Sequence, residues 1–137
     1  MHSKLFGAYN ETRETLVGLE IMAVESVFVD LDAVNDDHLV KQKSGFWLPT
    51  SKVADAATVL SVFDLLYLDE EDRVLERIEV SDSKSRANLL RLRGRAASAL
   101  ILAPGSISST RTLIGDKLIF CVAEDMVRYL TKTRETV

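Results

Sequence analysis

Residues 97–120 read ASALILAPGSISSTRTLIGDKLIF. Ala97 to Ala103 is a short apolar run broken only by Ser98, the pattern of a strand covered on both faces. Pro104-Gly105 then turns the chain, because proline fixes φ and glycine accepts positive φ. Ser106 to Thr112 is a polar crossover, Gly115-Asp116 marks another turn, and Lys117 to Ala123 is a second core strand. The stretch predicts two strands that close a β fold as its final hairpin.

Working outward, the neighbouring segments read the same way. Val59 to Asp69, VLSVFDLLYLD, is nearly all apolar and reads as a buried strand. Glu70 to Asp72 is a charged turn. Arg73 to Val80 then alternates, with Val74, Ile78 and Val80 on one face and Arg73, Arg77 and Glu79 on the other. Leu75 and Glu76 break that alternation. Lys4 to Tyr9 and Thr15 to Met22, joined by the polar residues 10–14, predict an opening hairpin. Gly45 to Pro49 is a further short apolar run, and Ser51 to Thr58 is a small-residue connection.

Two segments break the strand rhythm. Val24, Val27, Phe28, Leu31 and Val34 recur at spacings of three and four, so Ala23 to Val34 predicts a short amphipathic helix. Glu124 to Thr133 carries Met126, Val127 and Leu130 in helical register and reads as a helix or a tail. Lys84 to Arg95 fits strand, helix or loop. The expected fold is mainly β: an antiparallel β-sandwich, jelly-roll-like, with a short helical insertion. It is expected as one domain over residues 1–137, with its core at about 5–123.

Composition bounds the function. The 137 residues are 47% hydrophobic, enough for a packed core, and the net charge of −4 argues against a nucleic-acid partner. Residues 64–82 carry eight acidic and two basic side chains; residues 84–95 carry five basic and no acidic ones. No run approaches a membrane span, and the N-terminus lacks the apolar core of a signal peptide. A cytoplasmic location is expected, or a periplasmic or exported one if a signal once preceded this sequence. The lone Cys121, between Phe120 and Val122, reads as a strand residue.

Taken together, four motifs resemble a bacterial and archaeal family called domain of unknown function 192. Tyr9-Asn10-Glu11-Thr12-Arg13 through Leu16 resembles its opening hairpin, and Gly45-Phe46-Trp47-Leu48 a second segment. Phe63 to Asp69 with Arg73-Val74 resembles its central hairpin, and Ala97 to Leu118 its closing run. The resemblance implies a compact, mostly antiparallel jelly roll with a small amphipathic helix; it implies no activity. One departure falls between Trp47 and Asp64. Asp55-Ala56-Ala57-Thr58-Val59 stands where the family carries a His-Thr-x-Gly-Met type of signature, and Val62 where it carries proline.

Other chemistry finds little footing. Asp30-Leu31-Asp32 after Val27-Phe28-Val29 resembles the nucleophile motif of haloacid-dehalogenase phosphatases, but βαβ alternation is missing. Asp30, Asp32, Asn35, Asp36 and Asp37 fail the calcium-loop pattern, because Asn35 stands where the loop requires glycine. Lys84 to Arg95 is basic but has no interleaved aromatic residue for base stacking. Two residues stand out. Trp47 could wall a small-ligand pocket or fill the core. Asp64 interrupts an apolar strand, and a buried carboxylate needs a partner or a proton. The expectation is a non-catalytic binding or assembly module, with no metal or cofactor and with a protein partner or a second copy of the chain as its associate. The alternative is a ligand-binding protein or enzyme with a pocket around Trp47 and Asp64.

Overall fold

The computed structural model describes residues 5–24, 34–39, 43–92 and 96–135. Its strands are β1 (Leu5–Asn10), β2 (Thr15–Ala23), β3 (Ser44–Pro49), β4 (Phe63–Leu68), β5 (Val74–Val80), β6 (Ser98–Leu102) and β7 (Leu118–Val122). Its helices are α1 (Asp36–Leu39), α2 (Val53–Val59), α3 (Ser83–Leu92), α4 (Ser106–Thr110) and α5 (Ala123–Glu135), with a 3-10 turn at Thr50–Lys52 before α2.

The strands form one sheet in the order β5-β4-β6-β3-β2-β1-β7. All neighbours are antiparallel except β2 and β3, which run parallel. The sheet curls into half a barrel, and its two edges touch at one end. There Arg73 bridges Lys117, Gly115 N–H donates to Val74 O at 2.7 Å, and Leu118 N–H donates to Asp72 O at 2.9 Å.

The mainly β character expected from the sequence is present, but the pairing is one mixed sheet where an antiparallel sandwich was expected. The strands β4 and β6 are buried on both faces, as their apolar runs require. The second covering layer is helical, and an apolar run does not tell a helical cover from a sheet. The closing hairpin also needs correction. β6 lies at the heart of the sheet between β4 and β3, and β7 is an edge strand beside β1. The crossover between them spans the molecule.

Alternation sorts the side chains onto two faces. Phe46, Leu48, Phe63, Leu65, Tyr67, Ala99 and Ile101 face outward, where Val53, Ala56 and Ala57 of α2 and Leu89 of α3 cover them. Leu66, Leu68, Leu100 and Leu102 face inward with Ala8, Val17, Ile21, Ile107 and Leu118. The residues that broke the alternation in β5 mark a bulge: Leu68 pairs with Val74, but Tyr67 pairs with Glu76. The extra residue turns Val74 inward with the second cluster, while Ile78 and Val80 stay outward.

The helices have local causes. Asp82 caps α3, its Oδ1 accepting the Ser85 N–H at 2.8 Å, and Ser85 Oγ in turn accepts the Asp82 N–H at 3.0 Å. The region left open in the sequence around Lys84 is therefore helical through Leu92. Arg86 donates to the carbonyls of Ala57 (2.6 Å), Leu60 (2.9 Å) and Ser61, at the C-terminal end of α2. Part of the basic run is thus used inside the fold. α5 packs on β1 and β7, with Met126 buried and Tyr129 edge-on to Tyr9 at 5.5 Å. A Cβ at Gly7 would stand 2.6 Å from Met126, so this close approach of helix to strand requires glycine. The helix expected over Ala23 to Val34 lies outside the described residues except at its ends, where Ala23 finishes β2 and Val34 is buried without regular structure.

Candidate functional site

The half-barrel holds two buried carboxylates, one at the start of α4 and one bonded to the residues that follow it. Asp64, on the inner face of β4, is 3% exposed, and its Oδ2 accepts the Ile107 N–H at 2.8 Å. The N–H groups of Gly105 and Ser106 also favour its charged form. Burial pushes its carboxyl above the ordinary value; the Ile107 hydrogen bond opposes that shift, and the Glu79 charge adds to it. Asp64 thus fixes the start of a five-residue, hydroxyl-rich segment with little helix propensity of its own.

Asp116 is 2% exposed and is held differently. Its Oδ2 accepts from Asn10 Nδ2 (2.9 Å), the Leu113 N–H (2.9 Å) and Arg13 Nε (3.2 Å). Burial pushes this carboxyl up, but the hydrogen bonds and the Arg13 charge outweigh it and hold the carboxyl below its ordinary value. Asn10 Oδ1 accepts the Arg13 N–H at 3.0 Å, and Asn10 Nδ2 also reaches Thr112 Oγ1 at 3.3 Å. Thr12 Oγ1 accepts the Lys117 N–H at 2.9 Å, and Thr15 Oγ1 donates to Thr110 O at 3.0 Å. This network locks the β1–β2 turn to the crossover between β6 and β7.

Between those two segments and β5 lies a cleft of about 590 Å³, lined by Thr12, Arg13, Arg77, Ile107, Ser108, Arg111 and Leu113. Three guanidinium groups meet there from three distant parts of the chain. Arg13 leaves the β1–β2 turn and is fixed through Nε by Asp116. Arg77 rises from the inner face of the edge strand β5 and makes one long contact, 3.4 Å, to Thr112 O. Arg111 ends α4 with φ 56°, the left-handed region. A non-glycine residue there stores strain of about 1–3 kcal/mol. Among the described residues, neither Arg77 nor Arg111 has a carboxylate within 4.0 Å. The lining itself contains no carboxylate and no imidazole.

No family model matches the chain, and no curated protein matches it. A solved structure does. It is a protein from Sinorhizobium meliloti 1021, described as a candidate transcription regulator, 12% identical, with a TM-score of 0.59. The likeness covers 88% of this chain and 97% of that one. At this identity the likeness is one of fold.

The two residues singled out in the sequence do not come together. Trp47, on the inner face of β3, donates its indole N–H to Ser98 Oγ at 3.1 Å. Its ring stacks on Phe120 at 4.0 Å, and Phe6 stands edge-on at 5.7 Å. It reaches the first residue of β6, whereas Asp64 pairs beside Leu102, the last. Neither lines the arginine cleft, nor the smaller cleft of about 370 Å³ between α2 and α3. Cys121 is partly buried, and burial pushes its thiol up, away from the reactive thiolate.

The other motifs are placed as follows. Asp30 and Asp32 of the phosphatase-like motif lie outside the described residues. Asp36 accepts both the N–H (2.9 Å) and the hydroxyl (2.8 Å) of Ser61, so it ties α1 to the start of β4. No cluster of metal-ligating side chains occurs among the described residues, and no helix among them is long and apolar enough to cross a membrane. The arginines escaped the sequence reading because no spacing unites positions 13, 77 and 111. The available signal was indirect: two of the resemblance motifs, Asn10 to Arg13 and Gly115-Asp116, turn out to be halves of one buried network.

Proposed function

We propose that this protein is a non-catalytic binding module whose arginine-lined cleft takes an anionic ligand. The observation that carries this reading is the convergence of Arg13, Arg77 and Arg111 around a cleft with no carboxylate in its lining. Guanidinium is the side chain best suited to holding carboxylate or phosphate oxygens in fixed geometry. Ser108 and Thr12 supply hydroxyls, but no base stands in the lining to activate them as nucleophiles. The net charge of −4 sets the reading against a nucleic-acid partner.

We further propose that the chain is a divergent member of the domain of unknown function 192 family. The four motif places fall on the β1–β2 turn, β3, the β4–β5 hairpin and the run from β6 to β7. A pocket joining Trp47 and Asp64 has less support, because each side chain is already engaged, by Ser98 and by Ile107.

The test is thermal melting of the wild type and an Arg77→Ala/Arg111→Gly double variant in sulfate and in chloride at matched ionic strength. Sulfate stabilises proteins generally by exclusion from their surface, and that part persists in the variant. The wild type should gain more Tm from sulfate than the variant does. Equal gains in both proteins would overturn the proposal.

A further inference from the structure

The charge and lining of the cleft say more about the ligand, and this inference rests on the reading just given. We propose that the ligand is a small phosphate monoester, a dianion carried on an apolar body, in preference to a monocarboxylate. Charge balance favours the dianion. Arg13 is balanced by Asp116 at 3.2 Å, while Arg77 and Arg111 have no carboxylate within 4.0 Å among the described residues. The cleft therefore offers two uncompensated positive charges, which a phosphate monoester matches with its charge of about −1.5 to −2 at neutral pH.

The donors of the cleft also favour it. Two guanidinium forks, the free O–H of Thr12 (whose oxygen already accepts from Lys117) and the Ser108 hydroxyl suit a group with three terminal oxygens better than one with two. The apolar lining suits the apolar body. Ile107 and Leu113 form part of the cleft, Leu113 is 39% exposed, and its neighbour Ile114 is 58% exposed. A volume of about 590 Å³ is in the range of small-molecule sites and exceeds what a free phosphate would fill.

A dependence on pH follows, and its sign is fixed. The arginines stay charged throughout, whereas a phosphate monoester gains its second charge near pH 6. The carboxylates on the surrounding elements are Glu11 and Glu14 on the β1–β2 turn, Asp64 on β4, Glu79 on β5 and Asp116 in the crossover, with Glu76 of β5 opposite the outward-facing Tyr67. Asp116, whose carboxyl is held below its ordinary value, stays charged across about pH 5 to 8, and any proton lost from the others weakens an anion's binding. Tighter binding at higher pH would therefore come from the ligand.

Isothermal titration with phenyl phosphate and with benzoate tests this, because the two probes share a ring and differ in charge. At fixed ionic strength and about pH 8, phenyl phosphate should bind at least about fivefold tighter than benzoate, the order expected for one extra charge near two exposed cations. It should weaken toward about pH 5, and both Arg77→Ala and Arg111→Gly should reduce its affinity. If both probes bind equally, or if phenyl phosphate ignores pH, and the variants still lose binding, the anion cleft stands and the phosphate assignment is overturned. If neither probe binds, or if the variants bind as the wild type does, both readings are overturned.

Discussion

Asp64 and Asp116 are equally hidden, at 3% and 2% exposure, yet their carboxyls are shifted in opposite directions. Asp64 is surrounded by apolar side chains and backbone N–H groups, so burial dominates and its charge is disfavoured. Asp116 is as hidden from solvent but less deeply packed, and an amide, a backbone N–H and a guanidinium converge on one oxygen, so its charge is favoured. The difference separates two ways of holding the cleft. Asp64 anchors the short helix that carries Ile107, Ser108 and Arg111 into the lining. Asp116 holds Arg13, and through Asn10 and Leu113 it sets the two walls between which Arg77 and Arg111 face solvent.

The largest expected break in this comparison is Asp116→Ala. It orphans the Leu113 N–H, leaves the Asn10 amide only its longer contact to Thr112 and releases Arg13, so a loss of about 3 kcal/mol in urea unfolding is expected, with anion binding weakened as well. Asp64→Ala should cost less, about 1–2 kcal/mol, because the lost Ile107 bond is offset by no longer burying a disfavoured charge. It should also weaken anion binding, because Ile107, Ser108 and Arg111 belong to the segment that Asp64 anchors. A larger loss of stability at Asp64 than at Asp116 would contradict this ranking of the two carboxylates.

The pH dependence sharpens the same contrast. The folded-state pKa of Asp116 is depressed, so its stabilisation is full above the unfolded value of about 4 and is lost as pH falls through the folded pKa. The folded-state pKa of Asp64 is raised, so its contribution is full below about pH 4 and is lost as pH rises through the folded pKa. Melting temperatures across the acid range should show the two limbs. Asp116→Asn should flatten the acid limb and Asp64→Asn the opposite one. The smallest effect belongs to Arg111→Gly. Relief of the left-handed strain and the added freedom of the unfolded chain nearly cancel, so stability should move by no more than about 0.5 kcal/mol while anion affinity falls.

Much of the scaffold was legible in the sequence. The apolar runs that became β4 and β6, the β4–β5 and β1–β2 hairpins and the turn at Pro104-Gly105 follow from local pattern. Strand order did not, because periodicity identifies a strand and says nothing of its partner. β6 and β7 are near neighbours in the chain and stand on either side of three intervening strands in the sheet. α4 was hidden because serine and threonine give it little intrinsic preference; its start depends on Asp64, 43 positions away from Ile107. Asp64 was legible as an anomaly, a charge in an apolar run. The cleft was not, because Arg77 reads as an ordinary solvent-facing residue of an alternating strand until the curl of the sheet makes that face the inner one.

Nitrogen-15 NMR of the arginine Nε–H groups during titration with phenyl phosphate tests the central claim most directly. Saturable shifts of the Arg77 and Arg111 signals are expected, with a smaller shift for Arg13, whose Nε is already given to Asp116. Guanidinium signals of Arg77 and Arg111 that stay fixed while other parts of the protein respond would contradict it.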